Sequence, residues 1–200
     1  MDEDWIRWTK QNFVRPLQSL LRPSLGDVSI FLDDQIETGS SWPARLAFAL
    51  SHSRLLIPVL CPDYFNSEWC RLELSLMRHR EKQLDFRTAG NPNGLILPVI
   101  INDGDRFPDE VKEIQGKKIH KFAQPCMCLN TPLQENFAEL LKNDFCPEIE
   151  SALENVPAHD SAWQDFVYDQ FKEQFKAAAA KQTKVPGLSL HPINPTPPTV

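Results

Sequence analysis

Residues 55–74 read Leu55-Leu56-Ile57-Pro58-Val59-Leu60-Cys61-Pro62-Asp63-Tyr64-Phe65-Asn66-Ser67-Glu68-Trp69-Cys70-Arg71-Leu72-Glu73-Leu74. The first six form an almost unbroken apolar run, the composition of a strand covered on both faces. Pro58 sits awkwardly in it, because proline donates no ladder hydrogen bond. Cys61 to Asn66 then turn the chain, and from about Ser67 to Gln83 the apolar positions recur at helical spacing. A buried strand leading through a short turn into a helix is the repeating unit of an α/β protein.

The same alternation extends in both directions. Upstream, Trp5, Trp8, Phe13, Leu17 and Leu20 mark an amphipathic helix over 3–21, ended by Pro23 and Gly26. Val28-Ser29-Ile30-Phe31-Leu32 is a short β-rich run closed by Asp33-Asp34, and a polar loop carrying Gly39 leads to Trp42-Pro43. Proline just inside a helix start, with Ser40 or Ser41 as cap, opens a second helix from Ala44 to Leu50. Downstream, the turn Asn91-Pro92-Asn93-Gly94 precedes a second apolar strand, Leu95 to Ile101, interrupted by Pro98. A short helix over Pro108–Ile114 and a strand near Lys118–Phe122 complete the series. Helices alternating with buried strands imply a parallel sheet, and right-handed crossovers make the flavodoxin-like, doubly wound three-layer arrangement the natural topology.

After residue 131 no further strand is expected. Phe137, Leu140, Leu141, Phe145 and Ile149 mark one helix, and Trp163, Phe166, Val167, Phe171 and Phe175 mark another. Its aromatic stripe reads most simply as packing on the domain, with docking of a sensor or effector partner as the other reading. From Pro186 the proline-rich, apolar-poor sequence predicts a disordered tail. The organisation expected is a domain over 1–145, a helical extension over 146–184 and a tail over 185–200.

Composition narrows the function. At 200 residues, 42% hydrophobic and 24% charged, the chain supports one core. No apolar run approaches the roughly 18 residues that span a bilayer, and the acidic start MDEDWIRWTK lacks the basic and apolar regions of a secretory signal. No membrane association is expected. Five cysteines, an odd number, fit reduced thiols in a cytoplasmic protein; Cys126 and Cys128 are too few ligands for structural zinc, so no metal is expected. A net charge of −6 argues against nucleic acid as a partner. The basic cluster Arg78-His79-Arg80 with Lys82 reads as a solvated helix face.

Four pieces occur in order: Phe31-Leu32-Asp33 at a strand end, Glu37-Thr38-Gly39 in the following loop, Ser53-Arg54 entering the next strand, and the Cys61–Leu74 stretch with its pattern Y-F-x-S-x-W-C-x-x-E-L. Together and in this spacing they resemble a TIR (Toll/interleukin receptor) domain, whose second strand, BB loop, third strand and third helix carry such elements. The resemblance covers roughly residues 1–145 and departs from the family at the front: a TIR domain opens with a strand, whereas this chain begins at the first helix. Loss of a central strand leaves neighbouring backbone groups unpaired, at about 1–3 kcal/mol for each buried one.

The resemblance, in particular to bacterial NAD-consuming members, implies hydrolysis of NAD+ at the nicotinamide–ribose bond, with NAD+ as substrate and no further cofactor. It places the essential carboxylate at Glu73. The chemistry is intelligible from first principles: departure of nicotinamide leaves an oxocarbenium-like ribose, which a fixed carboxylate stabilises. One carboxylate suffices because the leaving group departs neutral. Trp69, four residues earlier on the same helical face, offers a ring on which nicotinamide or adenine could stack. Gly39 would let the loop approach a ligand, and Gln35, Glu37 and Arg54 are polar groups at the expected rim. Blander readings stand beside these: a solvated glutamate, a tryptophan core anchor, a glycine serving a turn.

Other chemistries find little support. Cys70 has no neighbouring histidine closer in sequence than His79 and reads as a buried helix residue. The seven glycines form neither a dinucleotide fingerprint nor a P-loop. The competing function is a non-catalytic module that works by association with other TIR domains. Self-association is compatible with either.

Overall fold

The computed structural model describes residues 3–32, 42–102, 107–124, 131–154, 156–157 and 160–182. Its first element, α1, is one continuous helix assembled from Glu3–Trp8, Thr9–Val14 and Arg15–Leu25. The central piece is wound as a π-helix, and Pro16 lies two residues past its end. In an α-helix the Pro16 ring would strike the carbonyl of Asn12, so the wider turn removes the clash. Pro23 does not stop the helix as expected but lies in its last turn, where Gly26 adopts φ 75° and donates its N–H to the Arg22 carbonyl at 3.0 Å.

The helix α2 spans Trp42–His52, and α3 spans Glu68–Gln83 after a 3₁₀ turn over Pro62–Asn66. Ser67 caps α3 by accepting the Cys70 N–H at 3.3 Å. Three parallel strands, β1 (Val59–Leu60), β2 (Val99–Ile100) and β3 (Lys117–Lys118), lie in the order β1-β2-β3. The regular ladder is short because each proline removes one rung. Pro58 and Pro98 still accept, from Val99 and Lys117 at 2.9 and 2.8 Å, and Leu56 pairs with Leu95 and Leu97 beyond the gap. The third strand begins one residue before its expected start and the chain turns after Ile119. Val28–Leu32, expected as a strand, takes up no regular secondary structure and has no ladder partner among the described residues, so β1 ends the described sheet.

A four-residue helix α4 (Asp109–Lys112) connects β2 to β3. The long helix α5 runs unbroken through Pro132–Leu140, Leu141–Phe145 and Cys146–Glu154, and it repeats the device of α1: a π turn that ends two residues before a proline, here Pro147. The last helix, α6, is Ser161–Gln182.

Side chains alternate across the sheet, as period-two strands require. On one face Leu60 and Ile96 join Leu46, Ala47 and Leu50 of α2, Leu74, Leu76 and Met77 of α3, and Trp163, Val167 and Phe171 of α6. On the other, Val99, Ile101 and Ile119 meet Trp8, Phe13, Leu17 and Leu21 of α1 with Phe137, Leu141 and Phe145 of α5. Rings of Trp8 and Phe122 lie 5.9 and 5.0 Å from that of Phe137. This is the three-layer α/β architecture expected, with α6 packed against α2 on that side.

Candidate functional site

The turn and first half of α3 hold the proposed chemistry. Tyr64, in the 3₁₀ turn, donates its hydroxyl to the Cys70 carbonyl at 3.1 Å, tying the turn to the helix. Glu73 follows one turn after Trp69 and is half-buried. Burial pushes the Tyr64 phenol well above its ordinary range, and the negative charge of Glu73, then Cys70, adds to the shift. Tyr64 therefore stays a neutral hydroxyl beside the Glu73 carboxylate. Cys70 is half-buried rather than buried, and His79, on the same helix, stacks on Phe166 at 4.8 Å.

Trp69 and Glu73 are thus brought together, but the Trp69 ring already has a neighbour. Phe171 of α6 lies 5.9 Å from it, centroid to centroid, with 23° between the planes. One residue before Trp69, the Glu68 carboxylate accepts the Gln174 amide at 3.0 Å. Arg54 points elsewhere: its guanidinium donates to the carbonyls of Leu153 and Val156, the latter at 3.1 Å, at the end of α5. Gln35, Glu37 and Gly39 lie outside the described residues, as does the tail from Pro186.

Two residues at the far end of α3 make contacts that no local sequence pattern signals. Arg80 is only 4% exposed, so the basic cluster is not a wholly solvated face. It donates to the Ser53 carbonyl at 2.7 Å and lies over the Trp163 ring at 5.3 Å. Burial lowers its pKa, while Asp160 opposes the shift. Glu81, 3% exposed, accepts the backbone N–H groups of Leu95 and Ile96 at 2.6 and 3.1 Å. Only the partners of these residues, distant in sequence, disclose their burial. Tyr64, by contrast, stands inside the Y-F-x-S-x-W-C pattern.

A parallel sheet between two helical layers, with a carboxylate and an indole one turn apart beside it, defines an α/β protein with a candidate ligand site on its third helix. The TIR domain family matches residues 6–126, and the chain belongs to that family. A relative from Arabidopsis thaliana, Protein SUPPRESSOR OF npr1-1, CONSTITUTIVE 1, is 25% identical over 125 residues, which are 62% of this chain and 8% of that protein. The chain therefore corresponds to a small part of that relative. No solved structure matches it. Among the described residues no helix is long and apolar enough to cross a membrane.

Proposed function

We propose that this TIR domain is an NAD+ glycohydrolase of the cytoplasm, acting in a defence or cell-death response and releasing nicotinamide with ADP-ribose or a cyclic variant. The observation that carries the reading is the placement of Glu73: half-buried, one turn from an aromatic ring and next to a neutral phenol. As the N-glycosidic bond breaks, its electron pair neutralises the nicotinamide ring nitrogen and positive charge develops at the ribose. Glu73 offsets that charge across a partly desolvated site, where a fixed carboxylate acts more strongly than in water. Water then adds to the ribose carbon and loses a proton, or a hydroxyl of the same molecule closes the cyclic product.

A second reading is an interaction module that works through association with other TIR domains. The contact that favours it is Phe171 against Trp69, which leaves that indole face to a side chain rather than to a ligand. Both readings allow self-association and coupling to a sensor or effector protein.

NAD+ consumption by the purified full chain, measured over a range of protein concentrations beside Glu73→Ala, separates them. Nicotinamide release that disappears in Glu73→Ala is the expected result. A folded protein that releases none at any concentration is the interaction module.

A further inference from the structure

The helix α6 packs most closely on α2, and its side chains also reach α3 in antiparallel order. Trp163 pairs with Arg80, Phe166 with His79, Phe171 with Trp69 and Gln174 with Glu68, so successive contacts on α6 step backwards along α3. On a helix of 3.6 residues per turn, positions 69, 72, 76 and 80 form one stripe, and Glu73 lies beside it on the rim towards the sheet. Whatever reaches Glu73 past Trp69 must pass the edge of α6.

The grip of α6 is uneven along its length. Its first half is locked in: Trp163 is 4% and Val167 0% exposed, and they belong to the same buried cluster as α2 and the sheet. Phe171, 1% exposed, belongs to that cluster too; past it the Gln174 amide reaches the Glu68 carboxylate, and Phe175 is 51% exposed. Local openings begin where buried apolar contacts are fewest. Fraying that starts at the C-terminal end and reaches Phe171 uncovers Trp69 while Trp163 and Val167 stay docked.

We infer that the C-terminal half of α6 is a detachable cap that holds the Trp69–Glu73 site closed, Phe171 occupying the indole face that a planar ring of the substrate would use. This rests on the reading of Trp69 and Glu73 as the NAD+ site. The uncapped form is the competent one, and apparent affinity for ligand scales with its population. An event that pulls on or binds the exposed side of α6 raises activity without touching α3.

The test uses the full chain with opposite perturbations of the cap, none of them in the site itself. Gln174→Ala and Phe171→Ala loosen it; Gln174→Arg tightens it by giving Glu68 a cation. Hydrogen exchange over 168–182 reports the opening, and nicotinamide release with NAD+ binding by calorimetry reports the site. The expected result is faster exchange with nicotinamide release raised at least tenfold in Phe171→Ala and several-fold in Gln174→Ala, and lowered several-fold in Gln174→Arg. The Phe171→Ala gain must vanish when Glu73→Ala is added. If exchange changes while all forms release nicotinamide equally, the cap is overturned and the NAD+ reading stands. If no form binds or cleaves NAD+ although α6 opens, that reading falls, and the cap with it. Should Phe171→Ala not fold, the two Gln174 variants decide by the sign of their effects.

Discussion

Arg87 and Glu81 form an ion pair of 2.9 Å in which the arginine keeps some contact with water and the carboxylate, 3% exposed, has almost none. The second carboxylate oxygen takes the Leu95 and Ile96 N–H groups, and the Arg87 guanidinium reaches on to the Ile96 carbonyl at 2.7 Å. One buried charge therefore fixes the end of α3 to the segment that leads into β2. Glu81→Ala orphans two backbone donors and a cation at once and should cost about 3–5 kcal/mol. Glu81→Gln, which still accepts, should cost less. Urea denaturation of both variants measures the difference; equal midpoints would show that the charge contributes nothing beyond its shape.

Gly94 lies against the same guanidinium, so that a Cβ added there would overlap the Arg87 side chain. Gly94→Ala should displace Arg87 and lose part of the Glu81 network, lowering the urea midpoint. The same exchange at Gly90, where no atom lies within 4 Å of the added Cβ, should change it little. In an Arg87→Ala background Gly94→Ala should add little further loss, because the clash then has no partner.

Alkaline stability follows from two groups. Burial raises the Tyr64 phenol, with Glu73 and Cys70 adding to it, and burial raises the Cys146 thiol, with Glu150 adding to it. Each holds its proton more tightly folded than unfolded. The stability is therefore fully present below the unfolded values, about 8.5 for the thiol and 10 for the phenol, and is lost as pH rises beyond them. The melting temperature should fall between pH 8 and 11. Tyr64→Phe should flatten the upper part of that fall and Cys146→Ala the lower part, which a melting series across the range would show.

Thr131 accepts the Gln134 N–H at 3.3 Å at the start of α5, and Pro132 follows at the first helical position. Thr131→Ala should cost about 1 kcal/mol, the usual value of such a cap. Thr131→Asp should keep it. Thermal melts of the two beside the parent chain check both.

Much of this architecture could be read from residue patterns because the patterns are local. Leu55–Leu60 and Leu95–Ile101 are apolar on both faces and could only be buried strands, and the Tyr64–Leu74 pattern located the helix that carries Trp69 and Glu73. What stayed hidden depends on partners far away in the chain. Arg80 sits in a run of charges and gives no sign that Trp163 will cover it. Trp69 gives no sign that Phe171 will stack on it, though both aromatics were visible. Arg54 looked like a rim cation until the end of α5 arrived beneath its guanidinium. Pro23 read as a stop signal, whereas in the last helical turn its missing N–H removes a single hydrogen bond.

The paired π turns bear on how the chain's length can vary. Each turn accommodates one residue more than an α-helix of the same span, so closing it at fixed length would swing everything upstream by about 100°. Trp8 would then leave the face that meets Phe137. Replacing Pro16 alone should not close the turn, since the aromatic contact opposes the rotation after the clash is gone. Removing one residue from Thr9–Val14 together with Pro16 should close it and leave Trp8 in place. At these two points, and not in the loops alone, the helices can lose a residue without losing their bearings.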